Sequence, residues 1–229
     1  MSNVAIITAR GGSKRIPKKN IKEFCGKPIL AYSIEAALLS KSFDEVMVST
    51  DSKEIKEIAE KYGASVPFLR SEAASNDFAT TADVIEEVLN EYKRNGKSFD
   101  SFACIYPTAP FITSDRLSEA MKLLVDADAV ISVVKYSFPP QRAFVLRDGN
   151  VIYQYPQYER IRSQDLEPIY HDCGQFYMCK SEVFLKNHSL ILPKTKPFIL
   201  PEEEVQDIDT MSDWEIAEVK YNVLHKESK

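Results

Sequence analysis

The sequence predicts an α/β protein with a mainly parallel sheet covered by helices on both faces. Two observations predict it. At 229 residues, with 44% hydrophobic and 28% charged side chains, the chain can build one sizeable core of ordinary soluble composition. Up to Tyr136, short runs rich in Val, Ile and Thr alternate with longer amphipathic runs, and strand-helix alternation implies right-handed crossovers between parallel strands.

"NVAII" (3–7) is the first predicted strand, and "EVMVST" (45–50) the second. Between them "PILAYSIEAALLS" has helical spacing, with Ile29, Tyr32, Ile34, Ala37 and Leu38 able to share a face. "SKEIKEIAEKYG" is a second helix, striped by Ile55, Ile58 and Ala59 and stopped at Gly63. "ASVPFL" (64–69) reads as a third strand. "TTADVIEEVLNEYKRNG" is a third helix facing inward through Val84, Ile85, Val88, Leu89 and Tyr92. "SFACIY" is a fourth strand, "SDRLSEAMKLLVD" a fourth helix and "AVISVVKY" a fifth strand. The pattern then changes. "AFVLRDGNVIYQY" predicts a hairpin turning at Asp148-Gly149-Asn150. "PQYERIRSQDLEPIYHDCGQ" (156–175) is polar and aperiodic, and long irregular segments in compact chains are usually functional. "FYMCK" and "PFILP" return to strand. "SDWEIAEVKYNVLHK" closes the chain as a helix capped by Thr210 or Ser212.

Several classes are excluded. No apolar run approaches the ~20 residues that span a bilayer, and the N-terminus has no signal-peptide pattern. The four cysteines show no CxxC spacing, and Cys25 and Cys104 lie in apolar surroundings, which predicts buried thiols in a reduced, cytoplasmic protein. A formal charge of -5 argues against a broad nucleic-acid surface. His171, Cys173 and Cys179 match no zinc spacing, and no GxSxG elbow is present.

Against that acidic background, "TARGGSKRIPKKN" (8–20) gathers five cations (Arg10, Lys14, Arg15, Lys18, Lys19) and two glycines directly after the first strand. Ligands of open α/β sheets bind beyond the C-terminal strand ends, and glycines let a loop approach a ligand closely while its N–H groups form an anion-binding concavity. Arg10 offers a planar fork to phosphate oxygens and the lysines offer point charges. The motif is neither GxxxxGK[ST] nor GxGxxG. By charge alone a solvated loop accounts for it equally; its place after the first strand favours a polyphosphate ligand. "VQDIDT" (205–210) sets Asp207 and Asp209 two residues apart, on one side of an extended backbone. Two aligned carboxylates repel unless a cation offsets them, and Mg²⁺ shared with phosphates suits such a pair. An acidic capping segment before the last helix is the alternative.

"ARGGSKRIPKKN", "STDSKEI", "VPFLR", "PTAPF" and "DIDT" occur in this order in the cytidylyltransferases of acidic sugars, which include the CMP-N-acetylneuraminate synthetases. The chain resembles that family over nearly its whole length. "KRIPKKNIKEFCGKPI", "RSQDLEPIYHDCGQFYMC" and "VQDIDT" are most similar to the branch that takes pseudaminic acid. Sialic acid synthetases tend to carry Gln where this chain has Tyr106, and Arg-Pro-Asn-Gly where it has "HDCG". Enzymes for 3-deoxy-manno-octulosonate carry an Asp that "IYPTAP" lacks.

The resemblance implies a single Rossmann-like domain over 1–229, of the nucleotide-diphospho-sugar transferase type. A small β-rich excursion at about 137–175 would take part in sugar binding and in homodimer formation. It implies the reaction of CTP with a nonulosonic acid to give a CMP-sugar and diphosphate. Arg10, Ser13, Lys14 and Lys19 would hold the triphosphate; Asn20, Arg70, Ala79 and Thr81 the cytidine; Ala9 and Gly11 would also bind the nucleotide; Asp207 and Asp209 would hold Mg²⁺. Arg10, Lys19 and Asp209 would be the catalytic residues. Tyr106, Thr108, Gln141, Arg162, Gln164, Asp165, His171 and Gln175 are the expected sugar-pocket residues. The partners implied are CTP and a nine-carbon acidic sugar, with no nucleic acid and no membrane. Legionaminic or N-acetylneuraminic acid as the sugar, a neutral sugar phosphate as acceptor, or an idle nucleotide-binding regulator are the competing readings.

Overall fold

The alternating burial expected of a covered sheet is visible in the first strand of the computed structural model, which describes residues 2–226. In β1 (Asn3–Thr8), Ala5 and Ile7 enter one core and Val4 and Ile6 the other. The chain continues through a two-strand clip, β2 (Glu23–Phe24) and β3 (Lys27–Pro28), into α1 (Ile29–Ser40) and β4 (Glu45–Ser49). Then come α2 (Lys53–Lys61), the short α3 (Glu72–Ser75), α4 (Thr81–Arg94), β5 (Ser101–Ile105), α5 (Ser114–Leu124) and β6 (Ala129–Lys135). The hairpin β7 (Phe144–Arg147) and β8 (Asn150–Tyr153) leads to β9 (Tyr170–Lys180), α6 (Ser181–Asn187), β10 (Thr195–Leu200) and α7 (Met211–His225).

The main sheet has the order β10-β6-β9-β5-β1-β4. β1 runs parallel to β4 and β5, β10 runs parallel to β6, and β9 is antiparallel to both its neighbours. One face is covered by α1, α2 and α5 through Leu30, Ile34, Ile55, Leu117 and Leu124. The other is covered by α4 and α6 through Ile85, Val88, Leu89, Tyr92 and Phe184. Helix starts follow their caps: Thr80–Asp83 and Thr210–Asp213 form reciprocal capping boxes, and Ser52 and Thr113 cap α2 and α5.

A third, smaller core positions the site. Ile16 of the basic loop, Phe24 of the clip, Ile29, Tyr32, Phe111, Ile208 and Trp214 pack together. Phe24 meets Trp214, Tyr32 and Tyr221 edge-to-face at centroid separations of 5.4, 5.7 and 5.5 Å. This cluster anchors the cation loop by one residue and the acidic segment by another.

The structure departs from the sequence reading in four places. "ASVPFL" forms no strand: Ser65 makes a single bridge to Met47, and Pro67, which has no N–H, cannot extend a ladder. "YHDCGQ", read as irregular, is the first half of β9. Its alternation is masked because this half borders a polar cavity, and because the pairing with β6 shifts register between Ile131 and Val133, with Gly174 at φ +65°. The helix "SEVFLKN" was not predicted, since a single buried Phe184 carries its packing. Cys25 is only half-buried, at φ 45° in the tight turn of the clip; the fully buried thiols are Cys104, Cys173 and Cys179. No helix among the described residues is long and apolar enough to cross a membrane.

Candidate functional site

At the edge where β1, β4 and β5 end and the antiparallel β9 begins, three cavities adjoin. The middle one, about 410 Å³, is walled by Arg10, Ser13, Lys14, Arg15 and Lys19 on one side and by Tyr106, Thr108 and Asp209 on the other. It shares Thr8 and Arg10 with a cavity of about 240 Å³ that contains Arg70, Ala79 and Thr81. It shares Tyr106 with a cavity of about 490 Å³ bordered by His171, Asp172, Asp207, Lys135 and Lys220. The three form one trough across the strand ends.

The loop after β1 is held close to the sheet. Ala9 N–H donates to Ser49 O at 2.9 Å and Gly11 N–H to Asp51 Oδ1 at 2.7 Å. A Cβ on Gly11 would lie 3.1 Å from Ser52 Cβ, so a side chain there would push against α2; nothing lies within 4 Å of the corresponding position at Gly12. Each of the loop's five cations is paired with an acid from elsewhere in the chain. Arg10 and Lys14 meet Asp77 at 3.1 and 2.5 Å, and Arg15 meets Asp209 at 2.8 Å. Lys19 donates to Ile208 O at 2.6 Å and lies 3.6 Å from Asp209. Lys18, in the left-handed region at φ 54°, turns away to Glu54 at 2.7 Å and does not line the trough. The loop thus divides into four cations facing the cavity and one that ties it to α2.

At the small cavity Arg70 is 8% exposed, with Nε on Ser49 Oγ at 3.0 Å and Nη2 on Ser49 O at 2.6 Å. Desolvation lowers its pKa, and Asp51 and Glu87 oppose that. Asn20, also buried, lines the middle cavity and donates from Nδ2 to Arg10 O at 2.8 Å, fixing the carbonyl beside the cation. Asn76 Oδ1 accepts from Phe78 N–H and Ala79 N–H, an Asx turn that leads into Thr80 and α4. Thr81 Oγ1 lies 3.4 Å from the Tyr106 hydroxyl, which links the small cavity to the seam of the other two.

Ile208, 1% exposed, points into the third core. The residues on either side of it therefore turn outward: Asp209 into the middle cavity and Asp207 into the large one. Withdrawal from solvent in the cavity wall, then the charge of Asp209, raises the Asp207 carboxyl, with Lys19 opposing. A hard cation would offset both the lost hydration and the neighbouring charge. The described residues contain no group of three or more His, Cys, Asp or Glu able to hold a metal by themselves. Asp207 and Asp209 are the carboxylates that could hold Mg²⁺, an ion that takes one or two carboxylates and completes its shell with phosphate oxygens and water.

In the large cavity Tyr106 packs edge-to-face on Tyr177 with centroids 5.8 Å apart. The Tyr177 hydroxyl donates to Asp172, whose other oxygen accepts Gly174 N–H at 2.8 Å. Burial raises the pKa of both phenols, so they stand as neutral donors.

Not every expected sugar residue reaches this trough. Tyr106, Thr108 and His171 line it. Gln175 is buried and committed to Glu204 O at 2.6 Å. Gln141 donates to Glu167 O at 2.7 Å while its buried Oε1 has no partner among the described residues. Arg162 and Asp165 form an exposed pair at 2.7 Å beside the exposed Gln164, away from the cavities. Sequence reasoning counted Arg15 among the five loop cations but gave it no place in the site, where it lines the middle cavity. It also missed Lys135, Asp172 and Lys220, single residues on a strand end, a register shift and a helix face that carry no local motif.

The sequence pattern of the Cytidylyltransferase family matches residues 4–199. A pseudaminic acid cytidylyltransferase of Campylobacter jejuni is 41% identical over 229 residues, covering 99% of each chain. A CMP-N,N'-diacetyllegionaminic acid synthase of Legionella pneumophila is 36% identical over 227 residues, 95% of each. Among solved structures, a CMP:2-keto-3-deoxy-manno-octonic acid synthetase complexed with CTP superposes with a TM-score of 0.71 at 17% identity, covering 99% of this chain and 100% of that one. At that identity the likeness concerns the fold.

Proposed function

The chain belongs to the cytidylyltransferase family, and from that premise we propose that it is a nucleotidyltransferase that joins CTP to pseudaminic acid, giving the CMP-sugar and diphosphate. The observation that carries this reading is the trough itself: a cation-walled middle cavity, with a cavity holding Arg70 at one end and one holding Tyr106 and His171 at the other. That order suits a nucleoside, its phosphates and an acceptor laid side by side.

The sugar's anomeric hydroxyl attacks the α-phosphorus in line. Its oxygen gains the bond to phosphorus and releases its proton to water, the bond from the α-phosphorus to the bridging oxygen breaks, and diphosphate leaves with that electron pair. Negative charge grows on the phosphoryl and leaving-group oxygens, so positioning and electrostatics supply most of the catalysis. Arg10, Lys14, Arg15 and Lys19 face that charge across the middle cavity. Asn20, Arg70, Ala79 and Thr81 would hold the nucleoside, with Arg70 kept rigid by its two bonds to Ser49. Asp207 and Asp209 would hold Mg²⁺, which when bound neutralises phosphate charge and polarises the α-phosphoryl group. Lys19, fastened to Ile208 O, keeps the acidic segment in register with the basic loop. Tyr106 closes the seam where the two substrates would meet.

The choice of sugar rests on the 41% identity to a pseudaminic acid cytidylyltransferase, and the large cavity would receive it. Pseudaminic acid has no 9-hydroxyl and carries an acylamino group on its tail. The rings of Tyr106 and Tyr177 would give the less polar tail an apolar surface, within a cavity that also carries Lys135, His171, Asp172 and Lys220. With CTP and Mg²⁺, kcat/KM for pseudaminic acid should exceed that for N-acetylneuraminic acid by roughly ten- to a thousandfold, with legionaminic acid between. Equal or better use of N-acetylneuraminic acid would reverse the sugar assignment. No diphosphate release with any nonulosonic acid would favour the idle regulator.

The chain is also expected to act as a homodimer through residues 137–175. The β7–β8 hairpin stands apart from the main sheet and exposes Phe144, Leu146, Val151 and Ile152, and Phe138 beside it is 88% exposed. A free two-stranded hairpin is marginal in water, and exposed apolar residues sharing one of its faces, here Phe144, Leu146 and Val151, suit an interface. Light scattering at micromolar concentration should give twice the chain mass, and Leu146→Glu with Val151→Glu should halve it. A fully active wild-type monomer would refute the dimer.

A further inference from the structure

The loop between α3 and α4 carries an acid that the proposed reaction does not call for. Asp77 Oδ1 accepts from Arg10 Nη1 at 3.1 Å, and Oδ2 accepts from Lys14 Nζ at 2.5 Å. Arg10 Nη1 also reaches Asn76 O at 3.4 Å. Arg10 and Lys14 belong to the wall of the middle cavity, and Asn76 and Asp77 to that of the small one. One carboxylate therefore bridges two cations with the charge-assisted geometry that two phosphate oxygens would use. A phosphate brought onto the same donors would meet the negative charge of Asp77 at hydrogen-bond range.

We propose that Asp77 is an internal competitor for the triphosphate, a latch that occupies Arg10 and Lys14 and is displaced when CTP binds. This rests on the CTP reading above. Lys14 first, then Arg10, holds the Asp77 carboxyl below the usual carboxylate range, so it stays ionised wherever the enzyme works. All three partners are open to water, with side-chain exposures of 39% for Arg10, 76% for Lys14 and 48% for Asp77. Pairs this exposed are weak, which suits a contact that substrate must break. The latch also joins the two halves of the nucleotide site. Asn76 and Asp77 pull on Arg10, while the Asn76 side chain fixes Phe78 and Ala79. Releasing Asp77 would uncouple that loop from the phosphate floor, where Phe78, 93% exposed, adds no packing.

Calorimetric titration of wild type, Asp77→Asn and Asp77→Ala with CTP, and separately with inorganic triphosphate, tests the idea. Both variants should bind both ligands roughly three- to tenfold more tightly than wild type, since a competing charge is gone and the small worth of an exposed pair sets the size of the gain. The two should behave alike if charge is what competes, because both remove it and only Asp77→Ala also removes the shape. A purely structural role would loosen the loop and weaken binding, so unchanged or weaker binding in the variants overturns the latch. Tightening with CTP but not with triphosphate also overturns it, by placing the effect at the nucleoside end. Wild type that binds neither ligand removes the nucleotide reading, and the latch with it.

Discussion

Asp207→Asn and Asp209→Asn should each lower kcat by roughly two to four powers of ten while the protein stays folded. The two carboxylates flank the buried Ile208 and turn out of the third core together. Asn has nearly the shape of Asp, so Ile208 keeps its seat among Phe24 and Trp214 and the backbone keeps its course. What is lost is charge. Desolvation, then the charge of Asp209, raises the Asp207 carboxyl, and each substitution removes one of the two carboxylate charges that would hold a cation. Asp209 has a second role, since its neighbours Arg15 and Lys19 lie 2.8 and 3.6 Å away. Asp209→Asn leaves those cations unneutralised. It should therefore tighten triphosphate binding in the absence of Mg²⁺ while it abolishes the response of rate to Mg²⁺. Near-normal Mg²⁺-dependent turnover in both variants would show that the pair serves only the N-terminus of α7.

Lys19→Gln should cost roughly a hundred- to a thousandfold in kcat/KM, whereas Lys18→Gln should change it by less than about threefold. The two lysines are adjacent in sequence and equal in charge, and the fold separates them. Lys19 is only 20% exposed at the side chain, with Nζ held by Ile208 O on the cavity wall. Lys18 points to Glu54 on α2, with 68% of its side chain exposed. Gln keeps most of either stem, and it meets the left-handed backbone at Lys18 much as Lys does. Differential scanning calorimetry should show both variants folded within a few degrees of wild type. Equal small effects at both positions would mean the whole loop is a solvated basic surface, the reading that composition alone left open.

That pair also shows how far the sequence could be read. The cluster of five cations was evident from its contrast with the net charge of -5. Which four face the cavity was not, because the left-handed residue Lys18 rotates one of them away and nothing local announces it. The i, i+2 rule foresaw Asp207 and Asp209 on one side of an extended segment. It could not foresee that they border different cavities, which depends on where Tyr106 divides the trough. "YHDCGQ" was misread because a strand beside a polar cavity lacks the apolar alternation that identifies strands facing a core. Arg162, Gln164 and Asp165 took their expected role from resemblance, and within this chain they form a separate exposed group on the excursion.

The sequence by itself determined the α/β class, the helices α1, α2, α4, α5 and α7, most strands of the sheet, and the two charged segments that make the site chemically plausible. These are properties of short stretches: hydrophobic period, capping residues and local charge survive without knowledge of what lies across the sheet. Only the tertiary structure decided which charges meet. Arg10 and Lys14 find Asp77 more than 60 residues away, and Lys19 finds Ile208 O at a separation of 189. Such pairings are set by strand order and by the seats of Ile16 and Ile208 in one small core. Coulomb energy depends on distance and desolvation in space, and a linear pattern of charges specifies neither.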